Sequence, residues 1–188
     1  MSRTELYVLV AAILYPLWLI AAGCDYLCHR RTHIEHTSGW RESVLHVLQY
    51  LCIAPTVVLA ALYTMTGAVL VFATLAVLAH TLLAYVDVKY TMRRRVIPAF
   101  EQRLHVVLAA LPIVAVMLLA FADAQVETHA LLRGADGLGT RQLGLIFVGT
   151  AVIGGMPVLE ELFRTLRAAE SRRAATSPRA RGAPPPVR

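Results

Sequence analysis

The sequence predicts an all-α polytopic membrane protein with about five transmembrane helices, the first four forming an up-down bundle. Three observations carry that expectation. Of the 188 residues 57% are hydrophobic and only 16% charged, with a mean hydropathy of +0.60; a soluble domain keeps roughly a quarter of its residues charged. The apolar residues are gathered into long blocks where a water-soluble fold would disperse them in short amphipathic periods. The basic residues collect at alternate block ends.

The blocks cover residues 6–23, 44–63, 67–86, 106–122 and 143–159, each close to the roughly 20 residues that cross a bilayer as a helix. Lipid offers the backbone no hydrogen-bond partner, so each block is expected to be helical. The first block follows Arg3 as a signal peptide would, but no small-x-small cleavage site precedes Asp25, and it is read as a retained span. Pro55 and Pro112 fall inside spans two and four, where kinks are tolerated, and Pro98 opens a new helix after the Arg93–Arg95 run. The hairpin 64–66 is short and uncharged, whereas 123–142, with Gly134, Gly137 and Gly139, reads as an irregular loop. Span five carries Gly144, Gly149, Gly154 and Gly155, which permit close helix packing. Residues 1–170 are expected to form one transmembrane domain, and 171–188 a disordered, basic, Pro/Ala-rich cytoplasmic tail.

Charge orients the spans. If all five cross, 15 of the 18 Lys and Arg residues share one side, leaving only Arg3, Arg133 and Arg141 opposite. The positive-inside rule then places the N-terminus outside and the C-terminus in the cytoplasm, in a bacterial-type inner membrane. The net charge of +6 calls for no nucleic acid; basic flanks against membrane lipids of an anionic inner leaflet account for it. Cys24, Cys28 and Cys52 are an odd set near the spans, expected as small buried hydrophobes and not a disulfide framework.

Six of the seven histidines lie at the cytoplasmic ends of the first four helices. Asp25, His29, His33 and His36 recur at steps of four, four and three, which is one helical face if the helix continues beyond the membrane. Helix two, opening near Ser38 as N-cap, brings Glu42 and His46 one turn apart. Helix three brings His80 and Asp87, and helix four Glu101 and His105, again one turn apart. Helices one and three end at the face where two and four begin, so an up-down fold collects all ten side chains in one layer. His129, in the outer loop, is remote from them.

Ionisable groups at membrane depth are costly, about 2.5–3.5 kcal/mol each on insertion scales, and mark function by default. Imidazole with carboxylate is a ligand set for iron, manganese or zinc, and helical bundles build two-metal sites from facing helices. Two ions of five or six ligands need about ten protein and water positions. Blander readings exist for the members singly. A lone membrane histidine is ordinarily a packing residue, Glu42 and Glu101 can pair with Arg41, Arg103 or a helix N-terminus, Asp87 can pair with Lys89 or Arg94, and Arg93–Arg95 can anchor lipid headgroups. The joint convergence is what points to metal.

The pattern His29-x-x-x-His33-x-x-His36, with His46, His80 and His105 on later helices, resembles the histidine boxes of membrane-bound di-iron hydroxylases and desaturases. The resemblance covers only polar positions of residues 25–105; paired His-His boxes are missing, and Glu42 and Glu101 enrich the carboxylate content. The Glu-x-x-x-His pairs are similar to those of carboxylate-bridged di-iron bundles, whose usual spacing is Glu-x-x-His. What the resemblance implies is a membrane oxidoreductase with two non-haem irons, acting on a lipid or apolar substrate and served by a separate electron donor, since the chain lacks a dinucleotide-binding glycine fingerprint. Three other readings stay open. A b-type cytochrome would hold haem between facing histidines, a zinc-dependent lipid hydrolase would use three histidines and an acid, and a metal transporter or sensor would need polar groups through the full membrane depth.

Overall fold

A computed structural model describes residues 2–124 and 138–176; His129 and the tail segment 177–188 lie outside the described residues. It is all-α, with five helices long and apolar enough to cross a membrane: α1 (Arg3–Arg31), α2 (Trp40–Leu62), α3 (Gly67–Thr91), α4 (Ala99–Ala122) and α5 (Thr140–Thr176). The polytopic fold expected from the apolar blocks is therefore present. Helix α5 extends six residues into the segment expected to be tail.

Short connections make α1 to α4 run up and down, with α1 against α4, α4 against α3 and α3 against α2. The fifth helix packs on both α1 and α2 and closes the ring between them. Its glycines permit this approach. A Cβ at Gly155 would stand 2.8 Å from the Tyr50 hydroxyl, and one at Gly149 2.9 Å from that of Tyr15. Both helices that meet at this seam contain a wider π turn, Val10–Leu14 in α1 and Thr150–Gly155 in α5. The α5 π turn and the turn before it leave carbonyls to outside donors. Tyr15 Oη donates to Ile146 O at 2.7 Å, and Tyr50 Oη to Thr150 O at 3.2 Å.

Burial is inverted relative to a soluble bundle. Leu75, Leu78 and Leu82 are 60–63% exposed, as befits a lipid-facing stripe, while Glu42, Asp87, Glu101 and Glu161 are at most 2% exposed. Apolar packing fills the middle (Trp18, Leu19, Ile53, Val77) and the far end (Met65, Val69, Ala73, Leu119). The charged cluster occupies the other end, where Arg30, Arg41, Arg95 and Arg164 also lie; this is called the basic end below.

The connection from α1 to α2 departs from the expected continuous helix. The Thr32 amide and hydroxyl both bond Cys28 O, at 2.9 and 3.0 Å, and His33 turns left-handed at φ 49°. This reversal buries Ile34 completely, and Gly39 N–H closes the turn on Ile34 O at 2.7 Å. Helix α2 accordingly starts after Gly39, at φ 75°, and Ser38 is no side-chain cap.

At the far end Asp123, fully buried, ties three elements together. It accepts the Met65 N–H of the α2–α3 turn at 2.6 Å, pairs with Arg3 at 3.0 Å and takes the Tyr7 hydroxyl. Asp123→Ala leaves the buried Met65 amide unpaired and should lower stability by about 2 kcal/mol. Thermal unfolding in detergent would report this, and an unchanged midpoint would mean that the contact contributes nothing.

Candidate metal centre

Seven of the ten side chains expected from the sequence (Asp25, His29, Glu42, His46, Asp87, Glu101 and His105) meet in one cluster built on two stacked imidazoles. The rings of His29 (α1) and His46 (α2) lie parallel, 6° apart in plane and 4.5 Å between centroids. Glu161 of α5 clasps both: its carboxylate oxygens accept from His29 Nδ1 at 2.8 Å and His46 Nδ1 at 2.6 Å. With both Nδ1 atoms as donors, each Nε2 presents a lone pair on the other side of the ring.

On that side His29 Nε2 stands 3.5 Å from Asp25 Oδ2 and 3.5 Å from Glu101 Oε1. His105 Nε2 stands 3.4 Å from Asp25 Oδ1. These four residues offer ligand atoms all within 4.8 Å of one another. Asp25 Oδ1, His29 Nε2 and both His105 nitrogens are buried and have no hydrogen-bond partner among the described residues. Acceptor atoms at such spacings repel unless a cation or protons lie among them. Metal–ligand bonds of about 2.0–2.2 Å arranged tetrahedrally put neighbouring ligands ~3.3–3.6 Å apart, which matches these three contacts. The donor set therefore fits a divalent ion.

A second group, Glu42, His46 and Asp87, also brings its ligand atoms within 4.8 Å. His46 Nε2 lies 3.1 Å from Asp87 Oδ2, while Glu42 Oε2 and Asp87 Oδ1 are buried and unpartnered. Gln49 Nε2 also approaches Asp87 Oδ2, at 3.5 Å. Between the groups runs the Arg95 guanidinium, donating to Glu42 at 2.7 Å and to both oxygens of Glu101. Burial lowers the Arg95 pKa, but the hydrogen bonds and charges of Glu101 and Glu42 outweigh it and hold the group above its ordinary value. It is a permanent cation.

The remaining expected ligands stand elsewhere. His33 and His36 fall in the turn after α1, with the His33 side chain 71% exposed, and do not join the cluster because the helix has ended. His80 is buried one layer deeper, its Nδ1 on Gln49 O at 3.3 Å and its Nε2 unpartnered in the wall of a cavity of about 80 Å³. That cavity also touches Asp25, His29, His46 and Glu161. It suits a small ligand far better than a porphyrin, and the His29–His46 stack leaves no slot between those rings.

Two members were not found from the sequence. Span five carries no ligand within its apolar block, and the signal for Glu161 in the sequence is the acidic pair Glu160–Glu161 at the basic end. Glu160 points outward to Tyr26 at 2.8 Å and Arg30 at 2.8 Å, and Glu161 inward. Arg95 is, by sequence, one of three expected headgroup anchors. Arg93 and Arg94 are exposed as expected, but the Arg95 side chain is only 4% exposed. Glu42 and Glu101 thus pair with Arg95, and not with Arg41 or Arg103.

Around the turn, Glu35 pairs with Arg164 and its carbonyl accepts Arg172 Nη2 at 2.7 Å. Burial raises the Glu35 pKa, but its backbone hydrogen bond and the Arg164 charge prevail and hold it below the usual carboxylate range.

Arg95→Met would leave two buried carboxylates without their cation. In metal-stripped protein this should cost about 3–5 kcal/mol, read as a lower thermal midpoint in detergent; no change would mean that the Arg95 pairing contributes nothing to stability. As for known proteins, no family model matches the chain, and comparison with curated proteins and with solved structures finds no similar one.

Proposed function

We propose that this chain is a membrane-embedded non-haem metalloprotein holding two divalent ions, with iron as the metal and oxidation of a lipid or other apolar substrate as its reaction. One observation carries the metal reading. Five buried carboxylates (Asp25, Glu42, Asp87, Glu101, Glu161) surround three imidazoles with a single guanidinium among them. With neutral histidines the cluster is short of four positive charges, which is what two divalent cations supply. Burying that many carboxylates uncompensated would be prohibitive.

Asp25, His29, Glu101 and His105 would hold one ion, and Glu42, His46 and Asp87 the other. The bound metals would supply redox and Lewis-acid chemistry. The protein's part is orientation. Glu161 fixes the tautomer of both stacked histidines, an outer carboxylate of the kind whose loss weakens metal affinity about 10–100-fold. Arg95 donates to Glu42 and Glu101 and holds both directed inward. Beyond the cluster the bundle interior is mainly apolar up to the Asp123–Arg3 contact at the far end, which supports a site served from one face and not a pore. In this reading the basic end faces the cytoplasm, where a separate electron donor would dock.

A second reading has zinc in the first group, favoured by its four protein ligands and by three contacts of 3.4–3.5 Å among them. Elemental analysis with optical and EPR spectra of detergent-purified protein separates the two. Two irons per chain without a Soret band, halved or lost in Asp25→Asn and His105→Ala and unchanged in His33→Ala and His36→Ala, is the expected result. Glu161→Gln should retain the fold and release metal to a chelator about 10–100-fold more readily. One zinc per chain would turn the assignment to the hydrolytic class. A Soret band, or no metal after reconstitution, would overturn the reading, leaving haem or a proton-neutralised polar cluster respectively.

A further inference from the structure

A second, larger cavity of about 620 Å³ lies in the apolar half of the bundle, bounded by α1, α2, α4 and α5. Its size is that of a site for an organic ligand, which typically spans ~300–1,000 Å³. The wall is almost entirely hydrocarbon, from residues such as Val10, Ala11, Ile53, Leu111, Ala115 and Ile146. The α1 π turn forms part of that wall, and such turns recur at functional sites.

Among the residues that line it, Trp18 carries the buried polar atom without a partner among the described residues. The residue is 7% exposed, and its indole Nε1 is buried with no hydrogen-bond acceptor among the described residues. An indole N–H in an apolar interior ordinarily finds an acceptor. Trp18 stands in the wall of the large cavity and also in that of the small one beside the histidines. From it Ala22, Asp25 and His29 follow at steps of four, three and four along one face of α1, and all line the small cavity. Asp25 is two turns beyond Trp18, about 10 Å along the helix, with Ala22 between them on that face.

We propose that the large cavity binds the alkyl chain of a single-chain lipid whose oxygen-bearing end accepts the Trp18 N–H and faces the histidine cluster. This names a substrate class for the metal centre and rests on that reading for its chemistry, though not for binding. The occupant is an acyl-type chain, because the wall is mainly aliphatic and the buried donor it offers without an acceptor among the described residues is Trp18, the residue that both cavities share. The oxygenated head, and not the tip of the chain, is the end presented to the metal-binding residues.

The chain has two tryptophans, so Trp40→Phe leaves Trp18 as the lone indole fluorophore. This variant, purified in detergent, would be titrated with a fatty acid brominated at mid-chain. Saturable quenching reversed by the unbrominated acid is expected, with an alkane of equal length competing about tenfold less well for want of an acceptor. Ala11→Phe and Ala115→Phe, which fill the cavity from two helices, should each abolish saturation, while the lipid-facing Ala79→Phe should leave it intact. Quenching that rises without saturation, or to the same extent in all three variants, would overturn the proposal. Metal content measured on the same preparations keeps the two readings apart. Saturable binding without metal sinks the metal centre and leaves the cavity; metal with unsaturable quenching does the reverse.

Discussion

Five carboxylates buried around one guanidinium set the terms for everything else at the basic end. In a medium that solvates charge poorly, such a group holds together only if each oxygen faces a donor or a cation. The fold answers with geometry. Arg95 is drawn inward from a turn that otherwise presents its arginines to the outside. Glu161 is spread across two imidazoles, and the helices that carry them stand close enough for the rings to stack. The hydrocarbon exterior follows from the same constraint, since a polar interior in lipid requires an apolar coat and no further device.

Much of this arrangement is legible from the chain alone, and the physical reason is helical periodicity. Asp25 and His29, Glu42 and His46, and Glu101 and His105 are each four residues apart, so each pair shares a face whatever the tertiary packing. Alternating helix polarity then brings the pairs to one level. Asp87 follows from the length of α3. None of this needs long-range information.

What escaped the sequence reading depends on packing or on one dihedral angle. Continuation of α1 through His33 and His36 was a reasonable extrapolation of a four-four-three step, but a left-handed residue at His33, stabilised by the burial of Ile34, ends the helix. Nothing in the local pattern distinguishes Arg95 from Arg93 and Arg94; only the position of Glu42 and Glu101 across the turn does. Glu161 belongs to a helix whose apolar block contains no ligand, and its role exists because α5 closes the ring between α1 and α2. Small residues at Gly149, Gly154 and Gly155 indicated close packing, yet not against which neighbours.

That the last helix closes the ring has a consequence for biogenesis. Helices α1 through α4 leave the ribosome before Glu161 does, so a nascent bundle assembled in that order passes through a stage in which two histidines face each other without the carboxylate that orders them. Completion of the centre is thereby coupled to completion of translation. A chain arrested before its fifth helix inserts would carry most of the ligands and lack the clasp, and the membrane's quality-control machinery would meet it as a bundle with an open seam and loose charge.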